Sequence, residues 1–374
     1  MRFGSLLGVP VRLHYTLVIA FILIAWTLAE SLMPLQYPSD RFGLSQVDYW
    51  VIGVVGAVAL FVSVLIHELA HSYVAKKSGL PVKRIVLFIF GGVSEIEEEP
   101  RDPGLEFRIA VVGPASSIVI GVALWLTLYL LSGFDLSPLI LAPLEYVGYI
   151  NLLLGVFNLM PAFPLDGGRV LRAALWALKK DLLRATKTAT RVGIAFSYLF
   201  MLGGLATIFL DSLISGLWLM LIGWFLKNRA ESSLNQTIVS EALAGVAVHD
   251  IMTREVHTVE PDVTLETLVA DYFSRHKHGG FPVTKNSTLL GLVTIEDVRK
   301  VPKSRWSETR VADVMTRCEK LVCLRQDDKV LDAFIRMSKQ RVGRLPVQED
   351  GRLVGIVTRS DILHTIKVRT ELAT

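Results

Sequence analysis

Residues 49–71 read YWVIGVVGAVALFVSVLIHELAH, an apolar run that ends in two histidines and a glutamate. Tyr49 to Ile66 carries no charge and approaches the roughly 20 residues that a helix needs to cross a bilayer. In a helix, His67 and His71 share one face, where two imidazoles can bind one Zn²⁺ with Glu68 beside it. Because ionisable residues in apolar spans occur mainly at functional sites, this stretch predicts a metal centre. The alternative is a set of structural polar residues packed in a bundle or at the cytosolic boundary.

Apolar stretches dominate the first 230 residues, and charges return afterwards. The 374 residues are 52% hydrophobic and 20% charged, which excludes a wholly soluble, disordered or fibrous protein, and two cysteines exclude a disulfide scaffold. A signal peptide is the alternative for the first apolar stretch. The last apolar stretch is short for a membrane span unless Lys227 and Arg229 reach the membrane–water interface. We predict six spans, the other five being Leu13 to Ala29, Ile109 to Phe134, Tyr146 to Leu165, Val192 to Leu210 and Ser212 to Leu226.

Lysine and arginine residues fall in alternate loops. They flank the first span on its N-terminal side, lie between the second and third and between the fourth and fifth, and follow the sixth. Residues 30–48 and 135–145 instead carry several acids and almost no Lys or Arg. The positive-inside rule therefore predicts a plasma-membrane protein with both termini in the cytosol. The formal charge of +4 is accounted for by loops facing an anionic leaflet, and no nucleic-acid partner is expected.

A catalytic zinc site needs a third protein ligand, and Asp166 is the candidate. It lies in NLMPAFPLDGG, residues 158–168, where proline and glycine break the helix and the backbone must line a cavity. The alternative is an ordinary loop aspartate. If the helix is continuous there, Asn158 lies about two helical turns before Asp166, and it is expected either to donate to a developing oxyanion or to bond a neighbouring helix. His14 is expected to be an interfacial residue rather than a fourth ligand.

These motifs together resemble the site-2 protease family of intramembrane zinc metalloproteases. The resemblance covers most of residues 1–230 and rests on the HExxH helix, Phe90-Gly91-Gly92, Gly113-Pro114-Ala115 and the segment from Asn158 to Gly167. It implies that His67, His71 and Asp166 bind Zn²⁺, while Glu68 takes a proton from a water whose pKa the metal lowers towards about 7. It also implies a single-pass membrane protein as the substrate, hydrolysed within the bilayer.

The histidines and a glycine-rich segment predict how a substrate is reached. His67 and His71 lie near the cytosolic end of their helix, so we expect the cut near the cytosolic side. Ile85 to Phe90 and Val93 to Ile96 flank Gly91-Gly92 and predict a re-entrant β-hairpin whose edge pairs with an extended substrate. An ordinary cytosolic loop is the alternative.

From about residue 246 the chain repeats itself. DIMT at 250–253 recurs as DVMT at 313–316, and GLVTIED at 291–297 recurs as GIVTRSD at 355–361. The copies resemble a tandem pair of CBS motifs, the Bateman module. This implies dimerisation and contacts to the ribose and phosphates of ATP, ADP or AMP from Thr294, Asp297, Thr358 and Asp361. Because Thr-x-x-Asp is also an N-cap arrangement, capping without a ligand remains the alternative.

The predicted fold is a polytopic α-helical membrane protein of about six transmembrane helices, followed by a soluble α/β tandem CBS domain. Residues 1–230 form the protease domain, 231–245 a linker, and 246–303 and 304–370 the two CBS motifs. Cys318 and Cys323 are expected to be inert thiols, and His276 and His278, around Lys277, to be solvated. A CBS-regulated channel or transporter and a non-catalytic membrane scaffold are the alternative functions, and tightly bound zinc distinguishes the protease from both.

Overall fold

The computed structural model describes residues 2–89, 91–210, 212–276 and 278–372. Phe90 and Lys277, which were named above, and Asp211, between the fifth and sixth predicted spans, lie outside the described residues. The chain divides into two compact units, Met1–Asn235 and Gln236–Thr374.

The first unit is mainly helical and contains one small sheet. Its strands are β1 (Arg2–Leu6), β2 (Val9–Leu13), β3 (Val82–Phe88) and β4 (Gly91–Ile96). The helix α1 (Thr16–Thr27) continues through a π-helical turn, Leu28–Leu32, into α2 (Met33–Gln36). The remaining helices are α3 (Ser39–Phe42), α4 (Gln46–Lys77), α5 (Pro103–Leu131), α6 (Pro138–Asn158), α7 (Asp166–Lys179), α8 (Leu182–Leu210) and α9 (Leu213–Leu243), the last of which runs on into the second unit.

Five helical segments among the described residues are long and apolar enough to cross a membrane: Thr16–Gln36, Gln46–Lys77, Pro103–Leu131, Pro138–Asn158 and Leu182–Leu210. Apolar side chains on their outer faces, such as Val18, Ile22 and Trp26, are exposed, as lipid-facing side chains must be. The predicted polytopic helical fold is confirmed.

The sixth predicted span lies in α9, which is not among the five segments. Its uncharged part, Leu213 to Leu226, measures about 21 Å at 1.5 Å per residue, and Lys227 follows. That length is short of the roughly 30 Å hydrocarbon core, so six spans are not confirmed.

The boundaries of the fourth span were predicted wrongly. Helix α6 begins at Pro138 rather than Tyr146, and Glu145 lies within it. The carboxylate of Glu145 accepts hydrogen bonds from Tyr37 Oη (2.5 Å) and Gln36 Nε2 (2.9 Å), so this charge has polar partners inside the helical region. The helix ends at Asn158, and a separate helix begins at Asp166. The continuous helix assumed between these two residues is therefore absent.

The small sheet has the strand order β1-β2-β3-β4. The hairpin of β3 and β4 is antiparallel, as predicted, but Gly91 and Gly92 belong to β4 rather than to the turn. Gly91 has φ +124°, a conformation that favours glycine. The strands β1 and β2 were not predicted, and β2 pairs in parallel with β3, with Val11 opposite Ile85. The sheet packs on α4, and β4 is left at its edge.

The second unit contains two antiparallel hairpins, which are the strands of the predicted repeats. The pairs β5 (Gly280–Lys285) with β6 (Thr288–Thr294) and β8 (Arg344–Glu349) with β9 (Arg352–Thr358) lie in one sheet of order β5-β6-β9-β8, and β7 (Thr316–Arg317) pairs with β6. Two apolar clusters form its cores, one mainly from residues 259–298 with Val311 and the other mainly from residues 324–362 with Leu243, Val246 and Val248. The helices are α10 (Val248–Ile251), α11 (Leu265–Thr267), α12 (Ser274–His276), α13 (Ile295–Arg299), α14 (Val311–Val314), α15 (Val330–Gln340) and α16 (Arg359–Leu372), with short helical turns at Leu268–Phe273, Lys303–Arg305 and Cys318–Lys320.

Residues 231–243 of the predicted linker form the C-terminal part of α9.

Candidate active site

His67, His71 and Asp166 meet in the interior of the first unit. The Nε2 atoms of His67 and His71 lie 3.2 Å apart, and each lies 3.2 Å from Oδ2 of Asp166. Both histidines are buried, and about one eighth of the Asp166 side chain is exposed. Asp166 follows His67 by 99 positions and His71 by 95 positions in the chain. The three side chains nevertheless place three possible metal-ligand atoms at the corners of a nearly equilateral triangle.

The triangle has the size and chemistry that a zinc ion requires. Ligands about 2.0–2.1 Å from zinc in tetrahedral geometry are separated from one another by about 3.3 Å, close to the separations found here. Two imidazole nitrogens and one carboxylate oxygen form a ligand set that zinc commonly takes. Electron-rich atoms at this separation repel each other unless a proton or a metal cation lies between them. The three residues therefore fit the metal, with one position left for water or substrate.

Both imidazoles are oriented by helix α5. His71 donates through Nδ1 to the backbone carbonyl oxygen of Ile109 (2.6 Å), and because a carbonyl only accepts, the lone pair of His71 lies on Nε2. His67 Nδ1 bonds Ser117 Oγ at 2.9 Å. Such partners fix the ring and the tautomer of a metal-binding histidine. Helix α4 thus supplies the two imidazoles, and α5 directs both Nε2 atoms towards Asp166.

Asp166 is placed by a tight loop. The residue begins α7, and Leu165 lies just before the helix in an extended conformation. Gly167 and Gly168 pack directly on the backbone of residues 159–163, where a Cβ atom on either glycine would overlap main-chain atoms. Gly193 of α8 packs on the carbonyl of Phe163 in the same way. These glycines allow the loop to fold against α7 and α8, which brings the carboxylate to the histidines.

Glu68 contacts strand β4 rather than the triangle itself. Its Oε2 atom accepts a hydrogen bond from Ser94 Oγ (2.8 Å), which also lies 3.1 Å from the Glu68 carbonyl oxygen. Ser72 donates to Ser94 at 3.0 Å and completes a short polar chain. Gly92 packs so closely on the Glu68 side chain that a Cβ atom there would overlap it. The hairpin therefore holds the carboxylate beside the site.

A cavity of about 560 Å³ brings the catalytic candidates together. His67, Glu68, His71 and Asp166 line one part, and residues of β4 line another. Asn158 lines it as well, although it stands at the end of α6 and not two turns before Asp166 on one helix. Further wall residues come from α9: Trp218, Ile222, Phe225, Leu226 and Arg229. The cavity has room for an extended peptide segment beside the ligand triangle.

His14 is not part of the triangle. It is exposed, its Nδ1 atom lies 2.8 Å from Thr16 Oγ1, and its backbone N–H donates to the carbonyl of Leu87. The residue joins the start of α1 to β3.

The four predicted nucleotide contacts form two helix caps. Thr294 donates through its backbone and side chain to Asp297 Oδ2, and Thr358 donates in the same way to Asp361 Oδ2. The repeats differ at the second oxygen of Asp297, which accepts from Lys300 Nζ at 2.9 Å. Thr358 and Asp361 also line a cavity of about 390 Å³. Both Thr-x-x-Asp segments thus cap helices, and a ligand at the second cavity is sterically compatible with these caps.

His257 and His278 line the 390 Å³ cavity together with Thr358 and Asp361, and neither cysteine is among its lining residues. Cys318 and Cys323 are both free, with Sγ atoms 3.9 Å apart. Burial, together with the neighbouring Cys318, raises the pKa of the Cys323 thiol to about 12. His276 and His278 form a ring cluster with His257, and His276 lies 4.1 Å from His257 between ring centroids. Partial desolvation and the neighbouring histidines lower the pKa of His276.

Sequence reasoning missed the residues that hold the candidate ligands. Ser94, Ser117 and the carbonyl of Ile109 act through contacts between elements, which single-chain spacing does not reveal. Only Ser117 carries a sequence signal, as a polar residue in an apolar span. Gly113, which had been noted only as part of a motif, packs directly against both imidazoles.

Comparison with known proteins places these features in a wider group. Residues 55–140 and 135–201 match the family described as Peptidase family M50, and residues 248–304 and 311–368 match the CBS domain. Rip3 of Mycobacterium tuberculosis, whose name assigns it to the zinc metalloproteases, is 34% identical over 98% of this chain and 92% of its own. Zinc metalloprotease MJ0392 of Methanocaldococcus jannaschii is 32% identical over 98% of this chain and 96% of its own. A solved site-2 protease from Methanocaldococcus jannaschii is 34% identical and covers 62% of this chain and 94% of its own, with a TM-score of 0.44.

Proposed function

The chain belongs to peptidase family M50, the site-2 protease type of zinc metalloendopeptidase, here joined to a CBS pair, and we propose that His67, His71 and Asp166 hold its zinc ion. The observation that carries this proposal is the buried triangle of two Nε2 atoms and one carboxylate oxygen with edges of 3.2 Å. Zinc bound there supplies a Lewis acid that polarises the scissile carbonyl and acidifies a water molecule.

Glu68 acts as the general base and acid in this proposal. Its carboxylate takes a proton from the attacking water and delivers it to the leaving amide nitrogen. Ser94 holds the carboxylate from the hairpin side through the 2.8 Å hydrogen bond. Because Glu68 follows His67 directly in α4 and lines the same cavity, the proton acceptor and the ligand triangle face one substrate.

Asn158 is proposed to donate from its side-chain amide to the oxygen of the scissile carbonyl. Its place on the wall of the 560 Å³ cavity supports this role, while a hydrogen bond to another helix is the competing role. An Asn158→Ala variant is expected to lower kcat with little change in KM if the amide donates in the transition state. A change in thermal stability alone would favour the structural role.

We propose that the substrate is the transmembrane segment of a single-pass membrane protein, bound in extended form along β4. This strand is the edge of the sheet and its residues line the cavity, so it offers backbone groups to a locally unwound peptide. Burial of the site in an apolar unit with five candidate spans supports cleavage within the bilayer.

We propose a plasma-membrane location with both termini in the cytosol and the cut near the cytosolic side. His67 and His71 lie in the last three turns of α4, which ends in Lys76 and Lys77. The positive-inside rule places that end in the cytosol. Both termini share this side if α9 provides a sixth crossing.

We propose that the CBS pair binds ATP, ADP or AMP through Thr294, Asp297, Thr358 and Asp361, regulates the protease and mediates homodimers. The 390 Å³ cavity beside Thr358 and Asp361 supports this proposal. A double variant, Asp297→Ala with Asp361→Ala, is expected to lose nucleotide binding in calorimetric titration with each nucleotide. Unchanged binding would show that the two aspartates only cap helices.

The experiment that tests the proposed activity uses the Glu68→Gln variant with a membrane-reconstituted single-pass substrate. The neutral amide keeps the shape of the side chain but cannot accept the proton, so cleavage should stop while bound zinc remains. Glu98→Gln, which neutralises an exposed acid outside α4 and the hairpin, is the matched control and should cleave normally. Undiminished cleavage by Glu68→Gln would overturn the assignment.

A further inference from the structure

Glu106 is a completely buried carboxylate at the start of α5. Its Oε1 atom accepts a hydrogen bond from Arg172 Nε at 2.6 Å and forms an ion pair with the Nη2 atom of the same guanidinium. The Nε atom of Arg169 lies 4.0 Å from the same oxygen. Its other oxygen, Oε2, has no hydrogen-bond partner within the described part of the chain. Two arginines of α7 thus converge on one acid of α5.

Both arginines belong to the helix that begins with Asp166. They follow the candidate ligand by one and by nearly two helical turns. The guanidinium of Arg172 also lies 5.2 Å above the ring of Phe163, in the loop that leads into Asp166. Arg172 therefore contacts both Phe163, in the loop before Asp166, and Glu106 of α5. These two contacts fix the start of α7.

Helix α5 orients the other two candidate ligands as well. The carbonyl of Ile109 accepts from His71, and Ser117 bonds His67. Glu106 lies about one turn before Ile109 on the same helix. One helix therefore connects to all three candidate ligands, to the two imidazoles directly and to Asp166 through Arg172.

We propose that Glu106 is a positioning residue, which acts through Arg172 to set the place of the Asp166 carboxylate and thereby the zinc affinity of the site. This inference rests on the proposed zinc site. A contribution to stability alone does not explain the pair, because buried ion pairs contribute little net stability compared with apolar residues of similar volume. Geometric control of the third ligand does explain why charged residues occupy this position.

The test measures zinc affinity of the purified full-length protein by competition with a chelator, beside its thermal stability. Arg172→Lys keeps the charge but loses the two-atom contact of the guanidinium and should weaken zinc binding roughly 10- to 100-fold, the usual effect of changing a group that orients a ligand. Glu106→Gln should do the same. Glu95→Gln, which removes the acid of the Arg84–Glu95 pair on the hairpin, is the matched control and should keep wild-type affinity.

A double variant separates positioning from stability. Glu106→Leu with Arg172→Met replaces the pair by apolar side chains, which buried sites frequently accept without loss of stability. We expect this folded variant to bind zinc as weakly as Arg172→Lys does. Wild-type zinc affinity in the double variant or in Arg172→Lys would overturn the positioning role. If the wild-type protein itself binds no zinc, the proposed zinc site fails instead, so the two failures are distinct.

Discussion

Gly113 of α5 lies directly against the imidazole of His71. A Cβ atom at this glycine would overlap the Nε2 and Cε1 atoms of His71 and come within 2.8 Å of Nε2 of His67. Helix α5 approaches α4 this closely because no side chain intervenes. The same approach lets Ile109 and Ser117 reach the Nδ1 atoms of the two rings.

A Gly113→Ala substitution should therefore damage the metal site specifically. The added methyl group must displace the His71 ring, and we expect zinc affinity to fall at least about 10-fold, as when a ligand-orienting contact is lost. Chelator competition on the purified protein measures this change. Gly133→Ala, which adds a methyl group in open space after α5, is the control. Wild-type affinity in Gly113→Ala would contradict the described packing.

Ser94→Ala should slow catalysis without releasing zinc. The variant removes the O–H donor that lies 2.8 Å from Glu68 Oε2, a hydrogen bond to a charged group with a typical value of about 1.5–3 kcal/mol. If half of this is lost from the transition state, kcat falls roughly 4- to 13-fold. Single-turnover cleavage and zinc content measure the two effects. Ser132→Ala, whose hydroxyl bonds only a carbonyl of its own helix among the described contacts, is the control.

An unchanged kcat in Ser94→Ala would show that Glu68 is oriented by other contacts. Loss of zinc in the same variant would show that β4 supports the ligands themselves.

The sequence predicts the candidate metal ligands of this site better than it predicts the residues that orient them. Spacing alone places His67 and His71 on one face, and the helix-breaking residues before Asp166 correctly predict a turn at the cavity wall. The contacts of Glu106 with Arg172, and of Ser94 with Glu68, depend on how separate helices and strands pack, which no local pattern encodes. In the sequence, Arg172 is only one of the basic residues between the fourth and fifth predicted spans, because its charge is evident there and its partner is not.

A predicted helix boundary is wrong where a charged residue has hydrogen-bond partners inside the helix. Glu145 was taken as the end of a loop, yet hydrogen bonds from Tyr37 and Gln36 allow it to lie within α6. The strands β1 and β2 were missed because each has only five residues, and the pairing of β2 with β3 is a long-range contact. The duplication in the second unit was identified because two copies of one set of motifs support each other.

The cap of α16 predicts a local effect on stability. Thr358→Val removes the hydroxyl that bonds Asp361, which should cost about 1 kcal/mol, a typical value for an N-cap. Amides in the first turn of α16 should then exchange hydrogen about 5-fold faster in the full-length protein. Thr358→Ser keeps the hydroxyl and should exchange at the wild-type rate. Equal exchange in Thr358→Val would mean that the cap contributes nothing to local stability.

The thiol of Cys323 should react slowly in the folded protein. Its pKa is raised to about 12, chiefly by burial and secondly by Cys318, so little thiolate exists near pH 8. We expect alkylation by iodoacetamide to be at least about 10-fold slower than in the denatured chain, and to accelerate as the pH rises towards 12. Peptide mass spectrometry follows the rate at this residue.

Cys318→Ser isolates the cause of the slow reaction. Because burial is the larger cause, Cys323 should remain slow in this variant. Alkylation at the denatured rate would show that the neighbouring thiol, rather than burial, controls the pKa of Cys323.

The central claim is that His67, His71 and Asp166 form one zinc site. The most direct test is the zinc content of the purified protein, measured by elemental mass spectrometry after dialysis against a weak chelator. We expect about one zinc ion per chain in the wild type and in Glu68→Gln, and almost none in His67→Ala or Asp166→Ala. Wild-type zinc content in either of the last two variants, or a proteolytically active wild type without zinc, would contradict the claim.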